Sequence, residues 1–372
     1  MSYPKARLLL GISGVGIFVV SANIALAMQI PTSWSTGRPD WQALVFALAL
    51  YAAISAPLDW IGGYVIPRAY RLRTDSAVTF GVRWARAVLV QAATMGLCLA
   101  AILAAGRAGG LAAAAVSFTA CMAGLAALQA PLARVVSRLR DVGTEPSSDE
   151  QEIPARRYAY VDPGFTGGVV GPPGKESLII PADWHAQLQP RHLQAVLARR
   201  KHAAKSRARV FGIITATGWN LSGFVLVASL VPGAGVTSAG ELLTLALGLG
   251  IWSFLGLLTL PTPSRNAVLA IDQQTAAEGA IGPDTLKNAL QNLHDLQHDE
   301  LRRGEWIETI FHPIPSLESR IKWLEHRAAP TAQPWNCARM ALFLSWACFG
   351  FLSRTVHCNV GLPDMWVLLP SD

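Results

Sequence analysis

Six stretches of this 372-residue chain, 8–28, 41–66, 87–105, 111–135, 210–231 and 242–260, are long and apolar runs. A bilayer core takes about 20 apolar residues of helix to cross. Few folds remain open to such a chain, because a segment in lipid must satisfy its own backbone hydrogen bonds and so becomes a helix unless it closes as a barrel. A seventh run, 338–352, falls short of a full crossing and reads either as a last span or as an interfacial segment. The first run follows Lys5 and Arg7 without a convincing small-residue cleavage site, so it is expected to be a retained signal anchor. Composition agrees: 52% of residues are hydrophobic, only 15% are charged and the mean hydropathy is +0.34, too apolar for a soluble protein of this size.

Basic residues set the expected orientation. Arg68, Arg71, Arg73, Arg83 and Arg86 crowd the second connection, and the segment from Arg134 to Arg209 carries thirteen lysines and arginines. The connections at 29–40, 106–110 and 232–240 carry one, one and none. The N-terminus and the central segment are therefore expected in the cytoplasm, in a bacterial-type inner membrane. The net charge of +7 reads as a topology signal and an attraction to anionic lipid, worth roughly 1 kcal/mol per basic residue near the surface, rather than as nucleic-acid binding.

The expected organisation is a four-helix membrane region (1–140), a flexible polar linker (141–157), a cytoplasmic part (158–209), a pair of spans (210–260), a second cytoplasmic part (261–334) and a seventh helix with tail (335–372). Within the first cytoplasmic part, Gly167, Gly168, Gly171, Pro172, Pro173 and Gly174 predict a turn before the short strand S-L-I-I-P at 177–181. No G-K-[ST] follows those glycines, which excludes a phosphate-binding loop. Residues 190–207 hold no internal breaker and place Leu193, Val196, Leu197 and Ala203 at helical spacing. Cys98, Cys121, Cys337, Cys348 and Cys358 form no C-x-x-C pair, so they read as packing residues.

At 195–203 the helix reads A-V-L-A-R-R-K-H-A. Together with D-P-G-F-T-G-G at 162–168, S-R-N-A-V-L-A-I-D at 264–272 and F-H-P-I-P-S-L-E-S-R at 311–320, it resembles in order the motifs of HtpX-type and CAAX-prenyl-protease-type membrane zinc metallopeptidases. The resemblance covers residues 158–327, and two spans fall between its second and third motifs, as in that family. It implies an α-helical polytopic membrane protein of six to seven transmembrane helices, with a small α+β cytoplasmic metallopeptidase-like domain.

The resemblance also implies a lost site. In the family's H-E-x-x-H, residues four apart share a helix face so that two imidazoles reach one metal, and the glutamate serves as base toward bound water. Here Arg199 and Arg200 stand at the first histidine and the glutamate, Ala203 at the second histidine, and Val268 at the third-ligand glutamate. A guanidinium has no lone pair to offer a metal. Shifting the register by one residue brings His202 into the second-histidine place but puts Ala198 and Arg199 at the other two. Asp272, His312, Pro313 and Arg320 retain the family pattern. No metal or other cofactor is expected.

The resulting expectation is a catalytically inactive, HtpX-like pseudoprotease serving as an accessory, assembly or scaffolding subunit among other integral membrane subunits. An active metallopeptidase with atypical ligands is the first alternative. The second is a small-solute or ion transporter using the intramembrane carboxylate Asp59, although a structural pairing of Asp59 with Arg68 or Arg71 near the interface is the favoured reading of that residue. The basic run Arg199, Arg200, Lys201, Lys205 and Arg207 is expected to touch anionic lipid or an acidic partner. His294 and His298, four apart, could share a metal, but read more simply as one side of an amphipathic helix whose apolar side is Leu290, Leu293, Leu296 and Leu301.

Overall fold

The computed structural model describes residues 1–73, 75–145, 153–160, 165–277, 281–297, 300–325, 333–356 and 360–368. It divides into two compact units, one comprising Met1–Ala126, Ala216–Gly256 and Ala341–Trp366, the other Ala127–Thr215, Leu257–Met340 and Val367–Asp372.

Five helices meet the length and composition of a membrane span: Tyr3–Ala27, Asp40–Ala69, Ala77–Ala127, Arg207–Leu230 and Ala239–Thr259. The longest is two helices merged across non-helical backbone at Gly109 and Gly110, which restores the six spans that hydropathy predicts. Gly110 has φ +65°, a conformation glycine adopts without strain. In the first unit Asp40 caps the start of helix Ala239–Thr259 from outside, its carboxylate accepting from the Ala239 backbone N–H at 2.8 Å. Phe118 stacks on Phe224 with ring centroids 4.7 Å apart.

The expected seventh span is not one. Residues 338–352 form a short helix, Cys337–Leu344, followed by 3-10 turns at Ser345–Cys348 and Phe351–Arg354. Eight residues of α-helix rise only about 12 Å, far less than a bilayer core. Trp346, Phe351 and Arg354 of this segment, and Trp366 beyond it, are all almost completely buried in the first unit. The backbone of Gly361 passes so close to Gly63 that a Cβ on either residue would collide with the other's main chain.

The second unit carries a four-stranded sheet, β1 (Arg140–Thr144), β2 (Ala155–Ala159), β3 (Gly168–Val170) and β4 (Ser177–Pro181), in the order β1-β2-β4-β3. β2 runs parallel to β4, while β1–β2 and β3–β4 are antiparallel. The glycine-rich segment is thus a hairpin turn, as its composition predicts, with Gly171 at φ +96° and Gly174 at φ +82°. The expected flexible linker is corrected at both ends, since β1 and part of β2 fall inside 141–157. Residues 146–152 of it lie outside the described residues. β1 escapes recognition because R-D-V-G-T is an exposed edge strand with a bulge between Asp141 and Gly143, so it shows no alternation of buried and exposed side chains.

Helix Pro190–Lys205 begins with proline at its first position and ends at Ser206, whose backbone is extended. Its apolar face joins one core with Ala155, Val169, Leu178 and Ile180 of the sheet and with Ala267, Val268 and Ile271 of helix Pro261–Ala277. Helix Pro283–Gln297 completes that core through Ala289 and Leu293. Its amphipathic reading holds for Leu290, Leu293 and Leu296, but Leu301 lies beyond the helix and is exposed. His298 lies outside the described residues.

Candidate functional site

The four motifs of the sequence converge in the core of the second unit. Arg199 and Arg200 project from helix Pro190–Lys205, Asp272 from helix Pro261–Ala277 and Arg320 from helix Leu317–Glu325. Both arginines of the pair are 0% exposed, as is Asp272.

Arg199 donates through Nε to Asp272 Oδ1 at 2.5 Å. Arg320 holds the same carboxylate from the other side, Nε to Oδ2 at 2.7 Å and Nη2 to Oδ1 at 3.0 Å. One buried carboxylate is therefore shared by two guanidiniums. Burial by itself would raise the Asp272 pKa, but the charges of Arg199 and Arg320 and their hydrogen bonds outweigh it and hold the carboxyl below its ordinary value.

Arg200 is used differently. It donates to the carbonyl oxygens of Ile179 at 3.1 Å and Thr166 at 2.6 Å, and its guanidinium lies 4.7 Å from the Trp184 ring centroid. It thereby ties the helix to β4 and to the strand entrance Phe165–Gly167, while Asp162, Pro163 and Gly164 of that motif lie outside the described residues. Ala203 and Val268 belong to the same apolar core. His202 pairs with Gln274 at 2.9 Å. His312 is buried and Pro313 half-buried in the turn that leads into the helix of Arg320.

These residues do not fit a zinc ion. Zinc takes lone pairs from nitrogen, sulfur or oxygen. Of the positions the resemblance assigns, Arg199 is a permanent cation, and Ala203 and Val268 carry no donor. The remaining carboxylate, Asp272, has both oxygens engaged by arginine. Among the described residues no group of three or more His, Cys, Asp or Glu side chains could hold a metal ion.

No protein-family model and no curated protein matches this sequence. The crystal structure of Ste24p from S. mikatae does match in shape, with a TM-score of 0.65 at 12% identity over 83% of this chain and 81% of that one. This chain has a Ste24p-like fold. Together with the membrane-length helices, the Ste24p-like fold makes this a multi-pass membrane protein with a small sheet-bearing unit. At that identity the fold is what is shared, and the side-chain roles rest on the geometry above.

Burial corrects one expectation. Arg199 and Arg200 cannot meet lipid or a partner, whereas Lys205 and Arg207 are exposed and Lys201 half-exposed. A second correction concerns Asp59. Arg68 bonds the Tyr64 hydroxyl instead. Asp59 pairs with Arg354 and accepts from Trp84 Nε1 at 2.9 Å and from the Gly361 backbone N–H at 3.2 Å. Nothing in the local sequence around Asp59 points to Arg354, which lies 295 positions away.

The Asp272 cluster carries a pH signature. A carboxyl whose pKa is lowered on folding adds stability that is complete above its unfolded value and is lost as pH falls through the folded one. Thermal melts of detergent-solubilised protein should therefore drop on acidification below about pH 4, the ordinary carboxylate range. Asp272→Asn, destabilised at neutral pH, should show a shallower acid limb.

Proposed function

We propose that this protein is a catalytically inactive member of the membrane metallopeptidase architecture that acts by binding, as an accessory, assembly or scaffolding subunit of a bacterial-type inner-membrane complex. The observation that carries this reading is the Arg199–Asp272–Arg320 cluster: a guanidinium stands at the first-ligand position and is locked to the carboxylate of the neighbouring motif. Arg200, at the position of the general base, is equally committed to the Ile179 and Thr166 carbonyls, and a guanidinium has only donors to offer there. Together they turn a site for metal-assisted hydrolysis into a rigid internal joint between sheet and helices.

A binding role needs surface. On the membrane side, many apolar residues are exposed on the spans, among them Leu9, Val20, Val45, Leu89, Leu97 and Val116, as lipid or a neighbouring subunit requires. The transport alternative loses its motive, because both oxygens of Asp59 are engaged within the first unit. β3 is the sheet edge beside the arginine helix, and its three residues are buried, so pairing with an extended partner there would require displacement of what covers it. The exposed edge is β1, and it is the strand better placed to accept a partner segment.

Purification from native membranes in a mild detergent tests the role. The protein should elute with defined integral membrane partners at fixed stoichiometry by mass spectrometry. Elution as a lone monodisperse species would contradict it.

A further inference from the structure

The second unit holds a cavity of about 560 Å³ that the arginine cluster does not use. Its rim carries Arg134, Arg156, Lys175 and Lys205, brought together from the helix Gln129–Ser137, from β2, from the β3–β4 turn and from the last residue of helix Pro190–Lys205. All four side chains belong to exposed residues. Of these, Arg156 has Asp141 at 3.5 Å, while Lys175 and Lys205 form no ion pair among the described residues. The wall includes Tyr158, which is 3% exposed, and Ser177. The Tyr158 hydroxyl has no hydrogen-bond partner among the described residues, although the rest of the side chain is packed, so it is left to serve whatever enters the cavity. A single carboxylate, Glu176, lines the space, and it lies 3.8 Å from Arg209.

Four cations from four separate elements, of which Arg156 is paired with Asp141, against the one compensated anion Glu176 make a concave site for an anion, with the Tyr158 hydroxyl on its wall. The volume is far larger than one small inorganic anion fills. The chain positions say where such an anion comes from. Arg134 lies just beyond the end of the span Ala77–Ala127, and only Ser206 separates Lys205 from the span Arg207–Leu230. Basic residues near span ends are attracted to the anionic headgroup surface.

We infer that this cavity binds the phosphate-bearing headgroup of an anionic phospholipid. The cations neutralise the phosphate, and Tyr158 donates to its oxygens or to headgroup hydroxyls. The site is independent of the arginine cluster, and an active or an inactive protein would bind lipid there alike.

Full-length protein in detergent, titrated with phosphatidylglycerol, phosphatidylcholine or inorganic phosphate and read by native mass spectrometry and melting temperature, tests the inference. Phosphatidylglycerol should bind and raise the melting temperature, and phosphatidylcholine should not. Lys175→Ala with Lys205→Ala, at two exposed residues the fold does not need, should weaken phosphatidylglycerol binding about thirtyfold, the equivalent of ~1 kcal/mol per cation. Arg302→Ala, at an equally exposed cation elsewhere in the unit, should leave it unchanged. Equal retention in wild type and double variant, equal loss in Arg302→Ala, or no lipid bound would each overturn the inference. Inorganic phosphate binding as tightly as the lipid would overturn the lipid as its source.

Discussion

Asp272→Ala should lower stability by about 3–5 kcal/mol, the cost of breaking a buried ion cluster by removing one partner. The size of the effect follows from what the substitution leaves behind. Arg199 is 0% and Arg320 5% exposed, so neither guanidinium reaches enough water to replace the lost carboxylate. Arg199 also sits on the helix that contributes Val196, Ala203 and Ala204 to the apolar core, so it cannot swing out without opening that core. The repair is equally diagnostic. Replacing all three residues together by apolar residues of similar volume, Arg199→Met, Asp272→Leu and Arg320→Met, should recover most of the loss, because a matched apolar set removes the desolvation cost along with the charges. Differential scanning fluorimetry of the purified variants checks both results. A single Asp272→Ala variant as stable as wild type would mean that the cluster is not the joint proposed for it.

The second large effect belongs to the membrane unit. Arg354→Ala should destabilise it by a similar ~3–5 kcal/mol and should release the segment Ala341–Trp366. Asp59 and Arg354 are each 1% exposed in their side chains. Arg354 also lies over the rings of Tyr51 and Trp366, 5.0 and 4.7 Å from their centroids. Its loss therefore leaves an unpaired carboxylate and two uncovered aromatic faces at once. Limited proteolysis in detergent should cut the variant within the C-terminal segment under conditions that leave wild type whole. Asp59→Asn should be milder, since an amide still accepts from the Gly361 backbone N–H. A transport role would invert that pattern, with normal folding and abolished flux in Asp59→Asn.

The two clusters also show how far this sequence could be read. Spans and hairpin were legible because hydropathy and glycine placement are local signals: a run such as 242–260 can hardly become anything but a buried helix. The order of the four motifs was legible for the same reason, and their meeting in one core follows from the fold they imply. The fate of the arginines was not. The six basic residues from Arg199 to Arg209 read as a surface for anionic lipid or an acidic partner, and Lys205 and Arg207 are indeed exposed, while Arg209 is buried. Arg199 and Arg200 go inside because a carboxylate 73 positions away and two strand carbonyls stand ready to receive them. Charge alone cannot reveal a long-range partner. Asp59 repeats the lesson: nearby Arg68 and Arg71 were the natural candidates, and the partner came from the far end of the chain. The apolar segment 338–352 looked like a span because its composition is right, and only its broken backbone shows that it packs as short turns instead.

Metal content decides most directly whether the arginine cluster has replaced a zinc site. Protein purified without chelator, then incubated with excess zinc and desalted, should hold well under one zinc per chain by inductively coupled plasma mass spectrometry. It should show no chelator-sensitive cleavage of peptide substrates. About one tightly held zinc per chain, removed by chelator together with a peptidase activity, would contradict the proposal outright.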